Sequence, residues 1–340
     1  MLKPSHAPGE FDLASQNLSL LGLEIDDYMI DQQMGDGSLS AVFRGKNAVG
    51  FKAAFKLAKQ QDLLTATPVD QCRLTKAIAK VTGGVMDVRP NTSSILKKQY
   101  SLLEQVHERE LVRVRKLSAR SELTYYEMNL LEGETLRQVM DRQPVSIDQM
   151  IGVARCLDKL SKNSFFSYHG DIKPENIMIT EDGITMIDPG HFGPLDLENG
   201  STMANCALTT AAYYPLLEPD DLLAFGLMLW EVVLGEAPLA KRGYSGESDL
   251  SRIGPNLLEI VKLQEMVGKY YLSSILDVPI PSKTHHKITG EAEKMLLKCL
   301  RLYITPAGKL ELDSGFKSFS SIAGALAAMR LKGKQYFSAD

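Results

Sequence analysis

The sequence predicts an α+β protein in two lobes: a small N-terminal lobe built on an antiparallel β-sheet with one helix, and a larger, mainly α-helical C-terminal lobe. Three observations predict it. Short β-like runs bounded by glycines fill the first part of the chain, and from about Glu132 onward the apolar residues recur instead at helical spacing. The length of 340 residues, 44% of them hydrophobic, is also enough to bury a core in each of two lobes.

Residues 1–26 mix Pro4, Pro8 and Gly9 with Ser and Asn ahead of a leucine-rich stretch, Leu18 to Leu23, and read as a leader packed on the small lobe's edge. The small lobe is expected over 27–131. Its first strands are Tyr28 to Met34, Ala41 to Arg44 and Phe51 to Leu57, joined by turns at Gly35-Asp36-Gly37 and Gly45-Lys46-Asn47. Pro68, Gly83, Gly84 and Pro90 mark 60–92 as an insertion with room for a short helix around Leu74 to Lys80. From Ser93 to Val106, apolar Ile95, Leu102, Leu103 and Val106 predict the lobe's helix, followed by strands over Leu111 to Leu117 and Leu123 to Leu130. The large lobe, 132–331, has helical patterns at Met150 to Leu160, Leu222 to Leu234, Leu257 to Met266, Ala292 to Leu302 and Phe319 to Leu331, and 332–340 form a tail. Leu222 to Leu234 is apolar nearly all round and holds the only tryptophan, Trp230, as expected of a buried central helix.

The totals exclude several function classes. With 38 Lys plus Arg against 42 Asp plus Glu there is no basic excess for nucleic acid or an anionic membrane surface, so an anionic ligand needs a local site. Cys72, Cys156, Cys206 and Cys299 contain no C-x-x-C pair and read as scattered buried thiols. His285-His286 lacks a third ligand spaced for zinc. No cleavable apolar leader and no run approaching ~18 to 20 apolar residues is present, so a cytoplasmic location is expected.

Chemistry concentrates in four places. Gly35-Asp36-Gly37-Ser38-Leu39-Ser40-Ala41-Val42 lies between two strands, where glycines let backbone N–H groups approach phosphate oxygens; alone, it reads first as an ordinary hairpin turn. Lys56 follows Ala53-Ala54-Phe55 in a β-like run, where an unpaired ammonium is expensive and a snorkelling surface lysine is the plain alternative. Further on come Tyr168-His169-Gly170-Asp171-Ile172-Lys173-Pro174-Glu175-Asn176-Ile177-Met178 and Thr185-Met186-Ile187-Asp188-Pro189-Gly190. Taken singly, Asp171 or Asp188 is more readily a turn aspartate, and Asn176 a turn cap, than a catalytic group.

In register, these segments resemble the eukaryotic-like (Hanks-type) serine/threonine protein kinases, with their H-R-D-x-K-x-x-N catalytic loop and D-F-G metal motif. The resemblance runs from about residue 27 to about residue 330, and includes Glu132-Gly133-Glu134-Thr135-Leu136 after the hinge and Asp221 to Gly226 at the start of the buried helix. It implies a bilobal kinase fold, ATP and Mg²⁺ as cofactors, and a protein substrate phosphorylated on Ser or Thr. By the same resemblance Gly35, Gly37, Ser38, Val42, Lys56, Met128, Asn129, Leu131 and Glu134 would contact the nucleotide, and Asn176 and Asp188 would hold the metal. Asp171 would accept the attacking hydroxyl's proton, and Lys173, the Ser/Thr-type marker, would offset charge on the moving phosphoryl group. His169 would pack beneath the loop. Thr210 resembles a bridge between the base and Lys173, with a plain loop threonine the alternative.

Four positions depart from the family pattern. Gln99 stands where a glutamate would pair with Lys56, an exchange expected to cost on the order of 1 kcal/mol, and Glu104 lies on another face of the helix. Pro189 lacks the N–H and the aromatic ring of the usual motif. Gly170 replaces an arginine that would clasp a phosphorylated loop, so phosphatase treatment is expected to leave the rate nearly unchanged. Ser40 replaces the last loop glycine, and no clear Ala-Pro-Glu element stands around Pro215 to Glu218. Two other functions compete with protein phosphorylation: a pseudokinase or ATP-binding scaffold, motivated by Gln99 and Pro189, and a small-molecule phosphotransferase, against which Lys173 and the glycine turn argue.

Overall fold

The small lobe is built on alternation. In β3 (Ser40–Asn47) every second residue, from Ala41 to Gly45, turns inward, and the pleat delivers Ala41 and Phe43 to one apolar cluster with Ile25, Ile30, Phe55, Leu57 and Tyr125. The computed structural model describes residues 20–37, 39–59, 91–119, 123–196, 200, 202–208, 213, 219–236, 278, 280–284 and 288–331. Ser38, Leu74 to Lys80, Thr210, Pro215 to Glu218, Leu257 to Met266, His285-His286, Cys72 and the tail lie outside them, as do the Cys206 side chain and most of the leader and of the 60–92 insertion.

Six antiparallel strands form the small-lobe sheet in the order β1 (Glu24–Ile25), β2 (Tyr28–Asp36), β3, β4 (Lys52–Ala58), β6 (Thr124–Met128), β5 (Val114–Ala119). The sheet begins inside the expected leader, because Ile25 joins the core and Asp26 and Asp27 make the turn into β2 with positive φ. The Gly35-Asp36 pair belongs to β2 rather than to a turn. Leu111 makes only an isolated bridge to Met186, so β5 starts later than its apolar pattern suggests. Strand β4 is buried on both faces from Ala53 to Leu57, with Phe55 on the core side and Ala54 and Lys56 on the other. Helix α1 (Thr92–Gln105), capped by the Asn91 side chain, takes the expected place between β4 and β5.

The large lobe surrounds α4 (Asp221–Leu234), whose residues from Leu223 to Glu231 are all buried. Helices α3 (Ile147–Leu160), α6 (Gly290–Cys299) and α7 (Phe319–Leu331) join it in one cluster that also takes in Leu96, Tyr100, Leu103 and Tyr126 of the small lobe. The helix expected over Ala292 to Leu302 ends at Cys299, and Leu302–Ile304 turns into strand β12, paired with β13 (Leu310–Leu312). Short α2 (Leu136–Arg142), opened by a Thr135–Gln138 capping box, spans too few residues to show a period. α5 (Pro281–Thr284) is a single turn. Two further ribbons, β7 (Gly133–Thr135), β8 (Ile177–Thr180) and β9 (Gly183–Met186), and then β10 (His191–Asp196) with β11 (Thr202–Leu208), flank the chemical motifs. Cys156 and Cys299 are free and buried, and burial pushes the Cys156 thiol up to about 12. No helix among the described residues is long and apolar enough to cross a membrane.

Candidate active site

Lys56 is held from three sides. Its neighbours across the sheet are Val42 on β3 and Tyr126 on β6, and α1 lies over its face. At 3% exposure its ammonium needs partners, and it finds the Asp188 carboxylate and, at 2.9 Å, Gln99 Oε1. Burial alone would lower the Lys56 pKa, but Asp188, with help from Tyr126 and Asp171, outweighs it and holds the pKa above the ordinary lysine value. Burial pushes the Tyr126 phenol up to about 12 against the opposing pull of Lys56.

The loop from His169 to Asn176 is anchored by the start of α4. Asp221 accepts the backbone N–H of His169 at 2.6 Å and of Gly170 at 3.0 Å, and Asp220 caps the helix through Leu223 N–H. Gly170 has φ +79°, a conformation that suits glycine at the position where the family pattern has arginine. His169, fully buried, completes the loop: its Nε2 meets the Ile187 carbonyl at 3.0 Å and its Nδ1 accepts the Asp171 N–H at 3.3 Å. Those partners require a neutral ring protonated on Nε2.

Burial lowers the His169 pKa despite the opposing pull of Asp221, Asp171 and Asp188. The unfolded chain therefore binds the extra proton first, at about pH 6.5, and stability is complete above that value and falls below it until the folded pKa is reached. Between pH 7.5 and 5.5, denaturant melts of the wild type should lose up to ~1.4 kcal/mol more than those of His169→Gln. Equal losses would show that this ring stays out of the balance.

A single 3-10 turn, Pro174–Asn176, then swings Asn176 back onto the loop. Asn176 Nδ2 donates to the Asp171 carbonyl and to Asp171 Oδ2, both at 2.9 Å, and approaches the Asp188 carbonyl at 3.3 Å. Lys173 Nζ lies 2.7 Å from the same Asp171 oxygen. Asp188 has φ +54°, and its carboxyl is held below the usual range because Lys56 overcomes the upward push of desolvation. The motif's Gly190 donates to the His169 carbonyl at 2.9 Å, and a Cβ on it would lie 2.3 Å from the Gly170 oxygen.

Gln99 does more than replace a glutamate. Its Nε2 donates to the Pro189 carbonyl at 2.7 Å and reaches Asp188 Oδ1 at 3.3 Å, while its oxygen serves Lys56. The amide orientation is set by chemistry, since an ammonium only donates and a carbonyl only accepts. Glu104, as expected, faces elsewhere and accepts from the Tyr100 hydroxyl at 3.1 Å.

Gly37, Lys56, Gln99, Asp171, Lys173 and Asp188 thus line one cavity of about 90 Å³, with Asn176 bonded into its floor. Gly35 and Val42 face each other across β2 and β3, outside its lining, with Val42 opposite Lys56 on β4. Met128 ends β6, whereas Asn129, Leu131 and Glu134 line a separate open groove of about 1360 Å³ behind the strand-to-helix connection. There Asn129 Oδ1 accepts from Arg115 at 2.9 Å and Glu134 pairs with Arg142 at 2.7 Å, so these two side chains are engaged away from Lys56. Tyr126 and the Gln99 bond to Pro189 were not legible: period-two alternation separates Tyr125 from Tyr126 without saying which faces inward.

The site suits a metal–phosphate ligand. Asn176 is buried, and its nitrogen is used on Asp171 and Asp188, which leaves its oxygen for a hard cation beside the Asp188 carboxylate. Among the described residues no cluster of three or more His, Cys, Asp or Glu could hold a metal alone.

No protein-family model matches the chain. It is 26% identical over 223 residues to a probable serine/threonine-protein kinase of Clostridium perfringens, covering 58% of this chain and 31% of that protein. It is 24% identical over 297 residues to serine/threonine-protein kinase A of Synechocystis sp., covering 80% of this chain and 49% of that one. The chain therefore spans between about a third and a half of these relatives' length. Its fold is the bilobal, kinase-like α+β one, and it matches the solved structure of PpkA-294 in its apo form with TM-score 0.50 and 13% identity over 90% of this chain and 98% of the other.

Proposed function

We propose that this chain, a Hanks-type serine/threonine kinase-like protein, transfers the γ-phosphoryl group of ATP to Ser and Thr hydroxyls of proteins in the cytoplasm. The observation that carries the reading is the convergence of Lys56, Asp171, Lys173, Asn176 and Asp188, spread over more than a hundred residues of sequence, on one cleft. Phosphoryl transfer asks the protein to align groups and neutralise charge more than to make bonds. Lys56, already ionised, would hold the α- and β-phosphates, and the backbone of Gly35 and Gly37 with Val42 would cover them. Of the hinge residues, Met128 and Leu131 would meet the base through their backbone and Asn129 through its carbonyl, since its N–H donates to the Arg113 carbonyl at 2.9 Å and its side chain accepts from Arg115; Glu134 stays with Arg142. Asp188 and the Asn176 oxygen would hold Mg²⁺, which when bound neutralises phosphate charge as a Lewis acid. Asp171, positioned by Asn176 and Lys173, would take the acceptor's proton as its oxygen bonds phosphorus and the bond to ADP breaks. Lys173 would offset charge on the group in flight.

The test is transfer of labelled γ-phosphate from MgATP to protein, with the acceptor residues mapped by mass spectrometry. Phosphoserine and phosphothreonine are expected. Nucleotide binding without transfer would leave the scaffold reading, which Gln99 favours, and label on a sugar or amino alcohol in preference to protein would move the enzyme to small-molecule substrates.

Gln99→Glu sharpens the choice. A carboxylate here would restore the family ion pair with Lys56, yet it would also face the Pro189 carbonyl and Asp188, both acceptors, with no donor to offer. The change is expected to lower kcat, by about 1 to 3 kcal/mol in barrier, or roughly 5- to 160-fold. A rise in kcat would mean that the lost ion pair, and not the brace to Pro189, dominates.

A further inference from the structure

We propose that the carboxylate of Asp196 latches helix α1 to the segment that follows the metal loop, so that the cleft is assembled without a phosphorylated residue; its effect on rate rests on the phosphotransfer reading above. Strand β10 leaves Gly190 and carries Asp196 to the N-terminus of α1. There the Asp196 carbonyl accepts the Asn91 N–H at 2.8 Å. One carboxylate oxygen takes the Ser94 hydroxyl and, at 3.1 Å, the Lys98 ammonium, both from α1. The other takes the Thr202 hydroxyl of β11 at 3.1 Å, and Lys98 also reaches the Pro194 carbonyl at 2.9 Å.

An ammonium and two hydroxyls around one anion form the kind of donor set that a phosphoryl group would collect. The anion also sits at the helix end where the peptide dipoles favour negative charge. Hydrogen bonds from Ser94, Lys98 and Thr202 hold this carboxyl down at about 2, so the latch is charged at any physiological pH. Its mechanical meaning comes from the next residue. Gln99, adjacent to Lys98, binds Lys56 and the Pro189 carbonyl, so α1 is stapled to one segment at two points seven residues apart, and slack at Asp196 is transmitted to Lys56.

Wild type, Asp196→Ala, Asp196→Glu and Thr202→Ala are compared by deuterium uptake over 92–105 and by transfer rate, before and after phosphatase treatment. With Asp196 and Lys98 about two-fifths exposed, the expected effects are moderate. Asp196→Ala should speed exchange in α1 about tenfold and lower kcat roughly 3- to 30-fold, more so at low salt where the native pair is strongest. Thr202→Ala should shift both the same way by less, Asp196→Glu should recover most of the loss, and phosphatase should change nothing in the wild type. Unchanged exchange in both Asp196→Ala and Thr202→Ala overturns the proposal, and so does loosening of wild-type α1 by phosphatase. A wild type that transfers no phosphate while Asp196→Ala still loosens α1 refutes the functional reading and leaves the latch standing.

Discussion

Replacing Asp171 with Asn is expected to slow γ-phosphoryl transfer by about 10²- to 10⁴-fold while MgATP still binds. Asparagine has the same shape, and its side-chain oxygen can still accept from Asn176 Nδ2 and Lys173 Nζ, which lie 2.9 and 2.7 Å from Asp171 Oδ2. What it loses is an oxygen able to take a proton. Lys56, Asn176 and Asp188, assigned to the nucleotide and metal, keep their contacts, so calorimetry of MgATP should change little. Equal incorporation of label by wild type and variant would remove Asp171 from the role of base.

Gly190→Ala is expected to cost at least about 10² in transfer rate together with ~1 to 3 kcal/mol of stability. The added Cβ would stand 2.3 Å from the Gly170 oxygen and 2.6 Å from its carbon, where ordinary contact begins at 3.4 Å. Both neighbours are backbone. Gly170 is pinned by Asp221, and Gly190 by its N–H bond to His169, so neither loop can yield by turning a side chain. Separation by about 1 Å would pull Asp188 away from Asp171, and displacements of that size are enough to cost two orders of magnitude. Gly324→Ala, on α7 with open space around it, supplies the control: it should melt at or above the wild-type temperature with unaltered rate. A fully active Gly190→Ala would mean that the two loops are not in close contact in solution.

Much of this was legible because it is local. The small-lobe strands are set by period-two burial, most clearly in β3, and α4 by an apolar run too long for a strand and too uniform for a surface helix. Asp171, Lys173, Asn176 and Asp188 stood out because their spacing resembles the catalytic-loop and metal motifs of one family. Other features left no pattern. Leu302 continues an apolar helical series, yet the chain turns into β12 there, since pairing with β13 buries it as well as another helical turn would. Asp196 is one aspartate among many until a hairpin brings it beside Ser94 and Lys98, about a hundred residues back along the chain.

Gln99 divides the two sources of information most clearly. The order of residues by itself determined that a neutral amide stands on the face of α1 that meets Lys56, and with it the two-lobed plan and the identity of the charged groups. Only the tertiary structure decided that the same amide spans the cleft to Pro189, that Tyr126 backs the ammonium, and that α1 is tied down at Asp196. The reason is physical: propensity and periodicity act between neighbours along the chain, whereas a hydrogen bond depends on where a partner's lone pair points, which is known only once distant segments have packed.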